Sequence, residues 1–565
     1  QAGIRHHAAA RFLYIGKPTV ALDNFSGASF SIEHILVISS AEKTTALKEF
    51  CSVRTFKKIV NFMFSRLFMV AMMLLAQICL LLILVFAFSQ VGFYTYLFLN
   101  LISLLVVLFI INNNEHPSYK ITWIISILSF PIVGGVFYLV LGNKRLSEAM
   151  LEQSSQAIEE TKQHMPANHL CDHALMKASP SLGLQSRYIY NMSGNPLWED
   201  VDSMYFPLGE LMFERMMLEM EQAEKYIFLE YFIVKPGIMW SRIFELLKRK
   251  VAQGVEVRFM YDDIGSIRTL PKGYDRIIRE AGIKLCVFNP FRPRINMIYN
   301  NRDHRKILVI DGKTAFCGGI NIADEYINAV DRFGHWKDTG IMIKGPAVWS
   351  FAFMFLQLWK FATGEDIDYN AYRAPATPYL PTPKGLVQVF GDSPLDRVNV
   401  TETAYRNIIS RSTQYVYITS PYLVINYEME SVLCAAAESG IDVRIMTPYH
   451  YDKWYVHVLT RSHYARLIRS GVRIFEYTPG FIHGKTFVSD DEICMVGTCN
   501  MDYRSFYLHF ECSASFYGSD TVMAVKQDFL ECQKQCHEYT LEEVEKVPLH
   551  IRALRAVLKV FAPLI

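Results

Sequence analysis

Two sets of histidine, lysine and aspartate stand at matching spacings in this chain: His304, Lys306 and Asp311, then His483, Lys485 and Asp490. They lie in DHRKILVIDGKTAFCGGIN (303–321) and IHGKTFVSDDEICMVGTCN (482–500). Aligned on the histidines, Gly318 matches Gly497 and Asn321 matches Asn500, and all five pairs keep the same interval. An imidazole acts as nucleophile or proton donor near neutral pH. A lysine ammonium supplies positive charge to phosphate oxygens. On a strand, residues two apart project from one face, so each His-x-Lys reads as an anion site. Two such units facing each other would put a histidine on each side of one phosphorus, as in-line displacement requires. Taken alone, each residue has a plainer reading, and Asp311 is explained by its Asp-Gly turn. The registered duplication carries the functional reading.

The elements that must position these residues recur in the same order. Residues 225–234 read as a strand, 240–254 as a helix ending in glycine, and 255–263 as a strand. The series returns as 414–424, 429–440 and 441–448. GVEVRFM (254–260) echoes GIDVRIM (440–446), and AGIKLCVFNP (281–290) echoes SGVRIFEYTP (470–479). The expected fold class is therefore α/β, with two duplicated lobes at 196–364 and 391–540. Between them, 365–390 carries a proline-rich stretch (RAPATPYLPTPKG, 373–385) that reads as a stiff linker.

Ahead of the lobes the chain changes character. Hydrophobic residues make up 51% of the 565 and charged residues 20%, and the apolar excess is concentrated before residue 145. Runs at 67–88, 91–111 and 121–141 are each long enough to span a bilayer, so 61–145 reads as a transmembrane region of two to three helices. The third run contains Pro131 and the Gly134–Gly135 pair, which also allow a kinked or re-entrant segment. Basic residues flank both sides of that run, so the facing of the lobes stays open. Residues 1–60 form an extension without a sustained period, and 146–195 begins as a polar, helix-favouring stalk. In the tail, 541–565, Ile551, Leu554, Leu558 and Phe561 alternate with Arg552, Arg555 and Lys559. That basic amphipathic helix fits either an anionic bilayer surface or a groove on the enzyme body.

The formal net charge of +2 says little about partners. The 11 cysteines include no CxxC pair and resemble no disulfide framework. Cys532, Cys536 and His537 sit close together but have no matching second cluster, and read as ordinary helix residues.

The duplicated HxKx4Dx6GxxN pattern resembles the phospholipase D superfamily. Together with 112–146, HWKDTGIMIKGPAV (335–348) and NMDYRSFYLHFE (500–511), it is similar to bacterial cardiolipin synthases from about residue 90 to the C-terminus. The resemblance implies two αβα lobes with a shared active site, a phosphatidyl-histidine intermediate and no metal or other cofactor. It implies a multi-pass cell-membrane enzyme acting on phosphatidylglycerol, with no nucleic acid partner. The implied catalytic set is His304, Lys306, Asp311, His483, Lys485 and Asp490, the aspartates supporting rather than attacking. His304 would attack and His483 would act as general acid. Asp338 and Glu511 would orient the histidines, and Asn321 and Asn500 would complete the phosphate pocket. The position after the motif glycine is often serine in that family. Here it is Gly319 and Thr498. Hydrolysis to phosphatidic acid and nucleic acid cleavage are the alternative activities of such a site.

Overall fold

The computed structural model describes residues 91–113, 115–130, 148–166, 169–290, 301–374, 385–396 and 398–564, with a few single positions in 72–83 and 134–138. The 1–60 extension, nearly all of the first apolar run, most of the proline-rich linker and the end of the third run lie outside them.

The second apolar run is the helix Val91–Asn112. At a rise of about 1.5 Å per residue its 22 residues reach about 33 Å, the thickness of a bilayer core. Among the described residues it is the one helix long and apolar enough to cross a membrane. Phe93, Leu97, Leu101 and Leu105 are all exposed along it. The third run begins as the helix Pro117–Ser129, which stops one residue short of Phe130, itself followed by Pro131. A proline disfavours helical backbone in the residue before it. Ile121, Ile125 and Leu128 face outward from this helix, while Tyr119, Trp123 and Ile127 are buried.

Two mixed sheets carry the rest of the fold. The first has seven strands, in the order Asp202–Phe206, Gly340–Lys344, Thr314–Gly318, Ile307–Ile310, Tyr226–Tyr231, Glu256–Asp262 and Lys284–Phe288. The last three run parallel and the rest pair antiparallel. The second sheet repeats that plan with Leu386–Asp392, His509–Tyr517, Ile493–Gly497, Thr486–Ser489, Tyr415–Thr419, Asp442–Pro448 and Arg473–Tyr477. It adds Cys536–Glu538 at its far edge. Cys536 and His537 are thus on a strand rather than the expected helix, because their backbone completes the ladder of Arg473–Tyr477.

Outer helices cover each sheet with a separate apolar core. Between the sheets, one shared core is built around the almost wholly buried helix Val348–Thr363 and the inner face of Asp520–Gln533. The lobes also exchange backbone. Arg302–Asp303, from the first half, pairs in parallel with His509–Phe510 of the second. Gly480–Ile482, from the second half, pairs in parallel with His335–Lys337 of the first.

Of the two readings of the tail, the docked one describes it. The helix Leu549–Phe561 packs in one apolar cluster with Trp123, Ile127, Val456 and Leu459. The Thr122 hydroxyl donates to the carbonyl of Val560 at 2.6 Å. This joins the C-terminal helix to the segment that follows the apolar helix Val91–Asn112.

Candidate active site

Each motif is set by a hairpin. The β-branched run Ile307–Ile310 pairs with Thr314–Gly318, and Thr486–Ser489 pairs with Ile493–Gly497. The connecting turns place Asp311 and Gly312 at φ 54° and 65°, and Asp490 and Asp491 at 55° and 58°. Aspartate and glycine tolerate this left-handed backbone. Each motif aspartate then acts as a clamp. Asp311 accepts the backbone N–H groups of Glu224 (2.8 Å), Lys225 (2.7 Å) and Tyr226 (2.8 Å). Asp490 accepts those of Thr413 (2.6 Å), Gln414 (3.0 Å) and Tyr415 (2.9 Å). These contacts hold the start of the neighbouring strand, at the end of the hairpin remote from the histidine. Through these contacts Asp311 and Asp490 secure the two hairpins. Asp311→Ala is expected to destabilise the protein by about 1–3 kcal/mol, since the buried N–H of Tyr226 and the partly buried N–H groups of Glu224 and Lys225 lose their acceptor. Thermal unfolding in detergent measures this, and an unchanged Tm would refute the clamp.

The motif histidines and lysines also sit differently from the expected strand positions. His304–Lys306 lie just before Ile307–Ile310, because the backbone here crosses to the other lobe. The His304 amide donates to Phe510 O at 3.0 Å, and the His483 amide donates to Lys337 O at 2.7 Å. The exchange dictates which acid meets which base. His304 Nδ1 lies 2.9 and 3.1 Å from the two carboxylate oxygens of Glu511, on the second lobe. His483 Nδ1 lies 2.7 Å from Asp338 Oδ2, on the first. Each lobe therefore holds the other lobe's histidine. Lys306 Nζ donates to the carbonyl of His304, and Lys485 Nζ to that of His483 at 2.5 Å.

All six groups are buried, and burial governs their protonation. It pushes His304 well below the ordinary imidazole range, with repulsion from Lys306 in the same lobe and from His509, Lys485 and His483 across the lobe boundary adding to the shift. It pushes His483 down to about 4, Lys485 adding to the shift and Asp338 opposing it. Burial lowers Lys306, partly offset by Glu511, and brings Lys485 to about 7. Glu511 is driven well above the usual carboxylate range by the same desolvation, against the pull of Lys306. Desolvation thus favours neutral imidazoles beside the two lysines.

The two halves are not equivalent. Thr498 Oγ1 donates to Glu511 Oε2 at 2.5 Å. Its counterpart Gly319 has no hydroxyl, and a Cβ there would lie 2.0 Å from Asp338 Oδ1. The shorter Asp338 occupies that space and accepts the Thr339 amide at 2.9 Å. Asn321 is committed to the scaffold, accepting the Ile233 amide (3.0 Å) and donating to the Tyr326 hydroxyl (2.8 Å). Asn500 Oδ1 is buried without a hydrogen-bond partner. The rings of Trp336, Tyr326 and Phe481 flank His483 at 5.5, 5.6 and 5.9 Å between centroids. Phe232 and His509 flank His304 at 4.9 and 5.2 Å.

His509, Trp336 and Tyr326 were missed as site residues from the sequence. Strand alternation offers the signal for His509, which stands two residues before Glu511 and so shares its face. The ligand-capable atoms of His304, His509 and Glu511 lie within 4.8 Å of one another. The positive charge of Lys306 acts directly on His304, so this cluster favours an anion over a cation.

Comparison with known proteins places this geometry in context. A family model described as cardiolipin synthase, PLD-like domain, matches residues 216–350 and 405–533. One described as phospholipase D-nuclease N-terminal matches 98–143. The chain is 33% identical over 481 residues to a cardiolipin synthase of Halalkalibacterium halodurans, covering 85% of this chain and 94% of that protein. It is 33% identical over 465 residues to one of Geobacillus sp. (strain WCH70), covering 82% and 92%. Among solved structures, the phosphatidylserine synthase of Haemophilus influenzae Rd KW20 superposes with a TM-score of 0.51 at 14% identity, over 67% of this chain and 97% of that one. That likeness shows the two-lobed α/β fold alone.

Proposed function

The chain belongs to the cardiolipin synthase family of phospholipase D-like proteins, and from that premise we propose that it transfers a phosphatidyl group from one phosphatidylglycerol to the hydroxyl of a second, giving cardiolipin and glycerol. The observation that carries the reading is the crossed pairing of His304 with Glu511 and His483 with Asp338 beside two lysines. It supplies two histidines of distinct surroundings to one anion site.

With Nδ1–H given to Glu511, His304 presents the Nε2 lone pair. That nitrogen attacks phosphorus, the P–O bond to the departing glycerol breaks, and His483 delivers a proton to the leaving oxygen. The hydroxyl of the second phosphatidylglycerol then attacks phosphorus, His483 takes its proton, and the P–N bond returns its electrons to His304. Lys306 and Lys485 hold the phosphoryl oxygens, with Asn500 beside them. Burial holds His483 neutral, and the negative charge of a bound phosphodiester raises its affinity for the proton it must deliver. Water attacking in the second step would give phosphatidic acid instead.

The membrane setting is part of the proposal. Val91–Asn112 spans the bilayer and residues 61–145 form a multi-pass anchor in the cell membrane, where phospholipid is concentrated. No metal or other cofactor takes part, and nucleic acid is not a substrate.

The test is product analysis with purified protein and phosphatidylglycerol vesicles. Cardiolipin with glycerol supports the reading, phosphatidic acid alone replaces it by a hydrolase, and no turnover of any phospholipid rejects it. A pH profile probes the lysines. Because Lys485 loses its charge near pH 7, kcat/KM is expected to fall as pH rises through that region. In Lys485→Arg, whose guanidinium stays charged, that component of the fall disappears, though the absolute rate is lower. An equal pH dependence in both proteins would exclude Lys485 as its source.

A further inference from the structure

The third imidazole of the site, His509, has no part in the two-histidine scheme. It is 8% exposed, and both of its ring nitrogens are buried without a hydrogen-bond partner. Whichever nitrogen carries the proton, an N–H and a lone pair are both left unmatched. Buried polar groups are rarely left so unless a ligand completes them. The strand His509–Tyr517 turns His509 to the same side as Glu511, 3.7 Å away from Nδ1 to Oε1, while Phe510 points into the shared core. Its ring is tilted 37° to that of His304. The matching position in the other half, two residues before Asp338, holds Trp336, whose indole N–H reaches that aspartate at 3.5 Å. One side of the site is therefore lined by aromatic carbon and the other carries a spare hydrogen-bonding group.

We propose that His509 is a further catalytic residue, a neutral hydrogen-bond donor that binds the transferred phosphoryl group on the His304 side of the phosphorus. Desolvation keeps it uncharged, so it adds a directed N–H without a further positive charge beside two lysines. Such a donor acts on the phosphoryl oxygens as negative charge redistributes in the transition state. The proposal rests on the phosphatidyl-transfer reading, so its test has one arm that needs no lipid turnover.

Full-length protein carrying His509→Ala, His509→Asn or His509→Phe is compared with the wild type. In single-turnover experiments, His509→Ala is expected to form the phosphatidyl-enzyme roughly 10- to 100-fold more slowly. His509→Asn, which keeps an N–H donor, regains much of that rate, and His509→Phe, which keeps only the ring, does not. The ratio of cardiolipin to phosphatidic acid stays the same, because the donor acts on the phosphoryl group and not on the acceptor. Independently, orthovanadate, a phosphate mimic, should bind His509→Ala about tenfold more weakly. Wild-type rates in His509→Phe, or unchanged vanadate affinity in His509→Ala, would overturn the proposal. A wild type that turns over no phospholipid would sink the transfer reading, while the vanadate series would still decide the role of His509.

Discussion

Replacing His304 or His483 by asparagine is expected to lower cardiolipin formation by up to about 10⁴-fold, because each removes a group that a displacement at phosphorus needs. The two losses differ in kind. His304→Asn has no nucleophile, and no substrate rescues it. His483→Asn lacks only the proton donor, so a phosphodiester with a good leaving group, such as p-nitrophenolate, should still transfer its phosphatidyl group to His304, releasing p-nitrophenolate. The covalent intermediate then accumulates, since the second step still lacks its base. Denaturation of the labelled enzyme at mildly alkaline pH, where phosphohistidine persists, followed by peptide mapping should place the label on His304. Burial and the lysines hold both histidines neutral, so the position of the label and not the charge state makes the assignment. Label on His483, or rescue of His304→Asn by the activated substrate, would reverse the assignment.

The second large effect follows from the crossed carboxylates. Glu511→Gln and Asp338→Asn are each expected to lower kcat by about 10²- to 10³-fold, the usual scale for a group that orients a catalytic histidine and balances its charge. The activated substrate again separates them. Glu511 lies in the second lobe but serves the first lobe's histidine, so Glu511→Gln stays slow whatever the leaving group. Asp338 lies in the first lobe but serves the proton donor, so Asp338→Asn regains its intermediate-forming rate when no donor is needed. If each acid served the histidine of its own lobe, the pattern would be exchanged. The experiment thus reads the strand exchange through kinetics. Thr498, which donates to Glu511 but has no counterpart at Gly319, should matter only on the Glu511 side.

Much of this arrangement was written in the linear order of residues. The duplicated motifs, the β-branched runs and the turn at Asp311–Gly312 are local features, and strands and hairpins obey local rules. The repeated strand–helix–strand order emerged as two sheets of one plan for the same reason. The apolar run that became Val91–Asn112 needed only length and composition. The strand edges were less legible. His304 and Lys306 continue an apolar strand pattern, yet their backbone leaves the first sheet to bond with Phe510, a partner set by the other lobe.

Residue types and their spacing were therefore enough to suggest an anion site with two histidines, and the family resemblance pointed to Asp338 and Glu511 as the acids that orient them. They could not say which acid meets which histidine. That follows from two short parallel pairings, Arg302–Asp303 with His509–Phe510 and Gly480–Ile482 with His335–Lys337, between segments 207 and 145 residues apart, where no periodicity reaches. The same holds for the motif aspartates. Sequence adjacency groups them with the histidines, but a four-residue strand carries them about 13 Å away, to a turn where three backbone N–H groups need an acceptor. His509 is the clearest case. On paper it is one more polar residue on a strand, and only the closure of the two lobes over it buries its ring nitrogens beside His304 and leaves them without partners.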